Sequence, residues 1–186
     1  MFLSSSCIIV KANGVTPIDE FLRNSHFTQP KKGLDDYAFY SINFYNPEKT
    51  IGEIHWSESF HYGKMNLINF MRKNNTFILF TSSVQNYKVL GYILEQLFSS
   101  NLKTEIVKIP LEYQFDEHEI KEIVSIESQN TFGISVILNI DGKYSLLKIY
   151  SNGLITYSMT NDQVIIEKII GIALKIIKLL KVGDEF

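Results

Sequence analysis

The sequence predicts an α+β fold. Two pseudo-symmetric strand-helix-strands-helix repeats, residues 1–103 and 104–186, join into one curved antiparallel sheet with the helices on its convex face. Three observations lead there. Hydrophobic residues make up 45% and charged residues 20% of the 186, the balance of a folded globular chain rather than a disordered one. Aromatics reach 13%, with 13 Phe and 10 Tyr, and such side chains favour half-buried pleated surfaces, so strands should be plentiful. Finally, the chain matches itself without a gap after a shift of 80 residues: Leu67 falls on Leu147, Phe70 on Tyr150, Thr76 on Thr156, Phe77 on Tyr157 and Val84 on Val164.

Each repeat opens with a short apolar strand, Ile9-Val10-Lys11 and then Ile106-Val107-Lys108. A helix is expected after each, over residues 18–24 and 117–126. The run Asp116-Glu117-His118-Glu119 reads as an acidic first turn favoured by the helix dipole. Ser41-Ile42-Asn43-Phe44 is similar to Ile137-Leu138-Asn139-Ile140. The change of offset implies about 16 extra residues in the first repeat, at about 45–63, where residues 51–60 are themselves strand-like. A hairpin follows in each repeat. Residues 66–71 pair with 76–80 across Arg72-Lys73-Asn74-Asn75, and residues 144–150 pair with 154–157 across Ser151-Asn152-Gly153, whose Asn-Gly is a strong turn signal.

The last element of each repeat is an amphipathic helix. Ser82 or Ser83 caps the first, whose face is Tyr87, Leu90, Ile93, Leu94 and Leu97. Thr160, Asn161 and Asp162 offer caps for the second, whose stripe runs through Ile165, Ile166, Ile169, Ile172, Ala173, Ile176 and Leu180. Gly91 and Gly171 coincide within these helices. Glycine costs about 1 kcal/mol against alanine there, so a shared reason is expected, namely close approach to the sheet.

Bulk properties exclude several classes. A net charge of −2 is not that of a protein held to nucleic acid mainly by phosphate neutralisation. One cysteine, Cys7, forms no intramolecular disulfide and fits a reducing compartment. Leu3-Ser4-Ser5-Ser6-Cys7 lacks the basic and apolar regions of a lipoprotein signal. The most apolar segment, 164–180, carries Glu167, Lys168, Lys175 and Lys178, too many charges for a membrane span. The expectation is a soluble intracellular protein, cytoplasmic or nuclear.

The duplicated unit resembles the TATA-box-binding protein family. Leu146-Leu147-Lys148-Ile149-Tyr150-Ser151-Asn152-Gly153-Leu154-Ile155-Thr156-Tyr157 looks like that family's Leu-Ile-Phe-x-Ser-Gly-Lys hairpin, and Phe132-Gly133 resembles its Phe-Pro-Gly. The resemblance implies a saddle that grips A·T-rich duplex DNA in the minor groove, wedging aromatic side chains between base steps, and that nucleates a transcription initiation complex with other transcription proteins. By position the wedges are Tyr37 and Phe70 in the first repeat, and Phe132 with Ile149 or Tyr150 in the second. Where the family places a base-reading Asn on the first strand of each repeat, this chain has Glu105, and Cys7 or Ile8. A carboxylate is repelled by the acceptor-rich A·T minor groove.

No glycine-rich phosphate loop, nucleophile elbow or paired-cysteine zinc motif occurs, so no enzyme and no cofactor are expected. Glu53, His55, Glu58 and His61 cluster, with Glu53 and His55 on one strand face, but their spacing is that of a polar surface hairpin rather than a metal site. Lys31-Lys32-Gly33 reads as a solvated loop. Two further readings stand beside DNA binding. One is a protein–protein interaction module using the same sheet surface, favoured by the acidic balance and Glu105; an apolar face with few lysines would support it. The other is a helix-grip-like small-molecule binder, in which residues 165–180 line a pocket.

Overall fold

The computed structural model describes residues 3–14, 22–31, 35–98, 102–110, 115–116 and 119–182. Eleven strands and two α-helices are found among them. The strands are β1 (Ser4–Asn13), β2 (Ser25–Pro30), β3 (Tyr37–Phe44), β4 (Ile51–Ser57), β5 (Asn66–Lys73), β6 (Thr76–Phe80), β7 (Lys103–Ile106), β8 (Ile123–Asn130), β9 (Gly133–Ile140), β10 (Lys143–Tyr150) and β11 (Leu154–Thr160). The helices are α1 (Tyr87–Phe98), preceded by a 3-10 turn at Val84–Asn86, and α2 (Gln163–Val182). The chain divides into two units, Ile9–Ile106 on one side and Met1–Ile8 with Val107–Phe186 on the other. The division cuts β1.

In the unit Ile9–Ile106 the strand order is β2-β3-β4-β5-β6-β1, and β7 also pairs with β1. From β2 to β6 each strand runs antiparallel to the next. The β5–β6 link is the pair Asn74-Asn75, with Asn74 left-handed at φ 52, a conformation that asparagine tolerates in tight hairpins. Alternate residues turn inward: Ile42, Ile54, Ile68, Phe70, Phe77 and Leu79 are buried with Leu90, Ile93 and Leu94 of α1. Tyr92 of α1 meets the rings of Tyr40 and Phe27 at 4.8 and 5.8 Å. Gly91 admits β7, since a Cβ there would come 2.5 Å from Thr104 Oγ1.

In the other unit the order is β1-β11-β10-β9-β8. Asp141 and Gly142, both left-handed (φ 52 and 82), turn β9 into β10, as a type I′ hairpin requires. Asp162 caps α2, its Oδ1 accepting from the N–H of Val164 (2.9 Å) and Ile165 (3.3 Å). One stripe of α2, Ile166, Ile169, Ile172, Ala173, Ile176 and Leu180, is buried, as is the sheet row Ile134, Val136, Leu138, Leu147, Ile149 and Ile155. No helix among the described residues is long and apolar enough to cross a membrane.

The architecture corrects the expectation of two strand-helix-strands-helix repeats backed by helices. The helix expected over 117–126 is absent where it is described. Glu119 is 3-10 rather than α-helical, its N–H donating to Asp116 O at 3.3 Å, a turn closes from Ile123 N–H to Ile120 O (3.0 Å), and β8 begins at Ile123. Three β-branched residues, Ile123, Val124 and Ile126, prefer the pleated surface and override the acidic start. Of the other expected helix, residues 18–21 lie outside the described residues, and 22–24 are not helical. What does recur after 80 residues is a hairpin followed by a helix, β5-β6-α1 and β10-β11-α2. Counting back from these hairpins in an antiparallel meander sets β4 against β9 and β3 against β8. The matched segments 41–44 and 137–140 therefore run in opposite senses, each taken relative to its own hairpin.

Candidate functional site

Cross-strand register lays out the face of β2–β6 that α1 does not cover. One row holds His26, Ser41, His55 and Leu67. The next holds Asn43, Glu53, Asn69 and Phe80. Phe39 and Tyr37 continue the face in one direction, and Ile51, Met71 and Ile78 in the other. Directly opposed residues share a face and stand within side-chain reach, so Ser41, His55 and Glu53 form one polar centre. Ser41 is only 4% exposed. Its Oγ and the Nε2 of His55 are both withdrawn from water without a hydrogen-bond partner. His55 Nε2 lies 3.3 Å from Glu53 Oε1, in contact but not in hydrogen-bond geometry. Buried polar atoms left in this way carry a desolvation cost of roughly 1–3 kcal/mol each, which a ligand atom or a water would relieve.

Glu53 is further held by Tyr45, whose hydroxyl donates to its Oε2 and also reaches Asn69 Oδ1 at 3.2 Å. Withdrawal of that hydroxyl from water, and then the adjoining carboxylate, push the Tyr45 phenol up to about 12. At the opposite end the loop after β4 folds an aromatic group over the sheet. Phe60 stacks on Tyr37 at 4.9 Å and meets Phe39 at 6.0 Å, and His61 meets Tyr37 edge-on at 5.5 Å. Asp36 organises this loop, its Oδ1 accepting from the N–H of Tyr37, Phe60 and His61 at 2.9, 3.1 and 3.3 Å. Hydrogen bonds, that from Ser59 foremost, hold its carboxyl below the ordinary range. Phe60 is 49%, Leu67 53% and Tyr62 91% exposed. Among the described residues of β2–β6, the only Lys or Arg in register with this face is Lys73, beside the β5–β6 turn.

The residues expected to grip DNA are dispersed. Tyr37 lies on the open face, under Phe60. Phe70 is on the covered face and fully buried, its ring against Phe44 and Phe77 at 5.6 and 5.7 Å. Glu105 is exposed on β7 and accepts from Asn13 Nδ2 at 3.0 Å. Phe132, Ile149 and Tyr150 come together in the other unit around a cavity of about 150 Å³. Phe132 is 77% exposed at the β8–β9 turn, whereas Ile149 is 1% exposed. Cys7 and Ile8 are wholly buried, and burial raises the Cys7 thiol to about 12. Glu53 and His55 do share a strand face, but no group of three His, Cys, Asp or Glu side chains suited to a metal gathers among the described residues. The apolar stripe of α2, expected in the small-molecule reading to line a pocket, is buried against its sheet. Lys32 and Gly33 lie outside the described residues.

Ser41, Asn43 and Asn69 are site residues that motif reading misses. Their signal is strict alternation: in Tyr37 to Phe44 the polar residues Ser41 and Asn43 occupy one parity and Ala38 and Ile42 the other.

No protein-family model matches this chain, and neither does any curated protein or solved structure.

Proposed function

We propose that the chain is a non-enzymatic recognition module, and that the uncovered β2–β6 face of the Ile9–Ile106 unit receives a protein partner. The observation that carries this reading is the Ser41–His55 pair: two polar atoms withdrawn from water without hydrogen-bond partners, set in a face bordered by exposed Phe60, Leu67 and Tyr62. Exposed aromatic and aliphatic side chains around an unmet polar centre are the composition of an interface core with polar groups awaiting partners. The charge pattern favours protein over DNA. A duplex-gripping face needs several cations in phosphate reach, and this one offers Lys73 at its margin and Glu53 at its centre.

A photo-crosslinking residue placed at Leu67 tests the reading in the native cell, with Tyr144 of the other unit as the control position. The expected result is a discrete crosslinked protein at Leu67, absent at Tyr144 and lost on Ser41→Val or His55→Ala. Crosslinking that is equal at both positions overturns the reading. So does low-salt binding of an A·T-rich duplex that Leu67→Glu abolishes, which would restore the DNA expectation.

A further inference from the structure

An unmet carboxylate lies in the other unit, where the start of β8 meets α2. Glu122 is placed by its backbone: its carbonyl accepts from the N–H of Asn139 at 2.8 Å, which holds it against β9. Its side chain is only 25% exposed. Oε2 is withdrawn from water and accepts no hydrogen bond. The cation paired with Oε1 is Lys175, whose exposed Nζ stands 3.9 Å away, beyond hydrogen-bond reach. A carboxylate taken from water in this way is costly unless donors meet it. Packing within the unit supplies none among the described residues.

Glu122 borders a cavity of about 420 Å³, which Ile140 of β9 and Gly171 and Ile172 of α2 also line. The volume lies within the range of small-ligand pockets. Gly171 has no packing reason to be glycine. Glycine is unfavourable inside a helix, and at Gly91 the approach of Thr104 accounts for it, but a Cβ at Gly171 would meet nothing within 4 Å. Any side chain there would project into the cavity, so the glycine keeps that space open. We infer that the cavity binds a small neutral polyol of monosaccharide size, whose hydroxyl groups donate to the Glu122 carboxylate. The charges around it decide the ligand class. Lys168 is held by Asp141, Nζ to Oδ2 at 2.5 Å, which leaves the ammonium groups of Lys121 and Lys175 against the one carboxylate of Glu122. Two ammonium groups repel a cationic ligand, and Glu122 repels an anionic one. Hydroxyl groups suit both, because each donates one hydrogen and accepts at its oxygen: a vicinal pair donates to the carboxylate, and its neighbours accept from the lysines. The terminal torsion of a glutamate is broad, so a modest rotation brings both oxygens to the ligand. Buried Ile140 and Ile172 offer carbon surface to the C–H face of a sugar ring. The site belongs to a different unit from the Ser41–His55 centre, and the inference does not depend on the reading given to that centre.

The test is titration of the full chain with a panel of glucose, galactose, mannose, their methyl glycosides and inositol, followed by backbone-amide NMR shifts. Methylammonium and inorganic phosphate, at constant ionic strength, are the charged controls. The expected result is saturable binding of at least one polyol, with shifts at the amides of residues 121–122, 139–141 and 168–175. Glu122→Gln keeps the shape of the side chain and should weaken that polyol at least tenfold, without lowering the melting temperature, because it relieves a charge that has no donors. Gly171→Leu fills the cavity and should abolish binding, also without lowering the melting temperature. No saturable response to any member of the panel overturns the inference. So does polyol affinity unchanged by Glu122→Gln, the variant that remains decisive should Gly171→Leu fail to fold. Methylammonium or phosphate binding tighter than every polyol overturns it in favour of a charged ligand. A large loss of melting temperature in Glu122→Gln overturns it too, since the carboxylate would then be part of the scaffold.

Discussion

Replacing Gly171 with alanine should raise stability, whereas the same change at Gly91 should not. Both glycines sit inside an α-helix, where alanine is favoured by about 0.8–1.0 kcal/mol, partly through the entropy of the unfolded chain. A Cβ at Gly171 meets nothing within 4 Å; the position borders a cavity of about 420 Å³ next to Ile172 and Lys168. The full gain of about 1 kcal/mol should therefore appear, a rise of roughly 2–4 °C in melting temperature for a chain of this size. A Cβ at Gly91 would lie 2.5 Å from Thr104 Oγ1, though 3.7 and 3.8 Å from Thr104 Cβ and Cγ2. The contact is with one rotatable hydroxyl, so it is relieved by turning Thr104 away or by a small retreat of β7, at a cost of roughly 0.5–1.5 kcal/mol. That offsets the helix gain and leaves a net change near zero or unfavourable. Urea denaturation with unchanged m-value resolves the difference. The geometry is confirmed if Gly91→Ala recovers about 1 kcal/mol once Thr104 is also alanine. Equal effects at the two glycines, or no recovery with Thr104→Ala, would refute the reasoning.

Phe70→Ala should destabilise the Ile9–Ile106 unit by about 3–5 kcal/mol, because a wholly buried ring leaves contacts with Phe44 and Phe77; a loss under 1 kcal/mol in a denaturant titration would place Phe70 on an open surface instead. The Tyr45 phenol should titrate by ultraviolet difference absorbance near pH 12, against an ordinary value of 10. Its folded-state value is raised, so the stabilisation is present in full below pH 10 and is lost as pH rises from there through about 12. Glu53→Gln removes the adjoining charge and should bring the titration back toward 10, and an unchanged midpoint would contradict the hydrogen bond.

The local elements were far more legible than their assembly. The cap at Asp162, the stripe of α2, and the hairpins at Asn74-Asn75 and Ser151-Asn152-Gly153 are decided by residues close together in sequence, and they stand. The strand content followed from Phe, Tyr and β-branched residues. The helix expected over 117–126 failed because its acidic start is a weak term of a few tenths of a kcal/mol, and the β-branched residues behind it found a neighbouring strand in β9. The glycine coincidence was real in sequence but not in cause: Gly91 answers to Thr104 on β7, whereas among the described residues nothing lies within 4 Å of a Cβ at Gly171. Pairing of that kind is set by partners many residues away, which no local pattern reports. The polar centre was half legible. Glu53 and His55 were visible as alternate residues of one strand, but Ser41 comes from another strand and carries no motif.

Sequences that fold well satisfy local rules nearly everywhere, and departures concentrate where function outweighs stability. Two departures stand out in the Ile9–Ile106 unit. Ser41 and His55 bury polar atoms without hydrogen-bond partners, where a valine and an aliphatic residue would complete a face that already carries Leu67 and Ile51. Each is destabilising in isolation and each is reversible by a single substitution. Stability and recognition should therefore move in opposite directions at these positions. Ser41→Val should raise the melting temperature while it weakens partner capture at Leu67. A position that gains stability without loss of binding is a packing accident, and one that loses both is part of the scaffold. Only the opposed response marks a residue kept for what it binds.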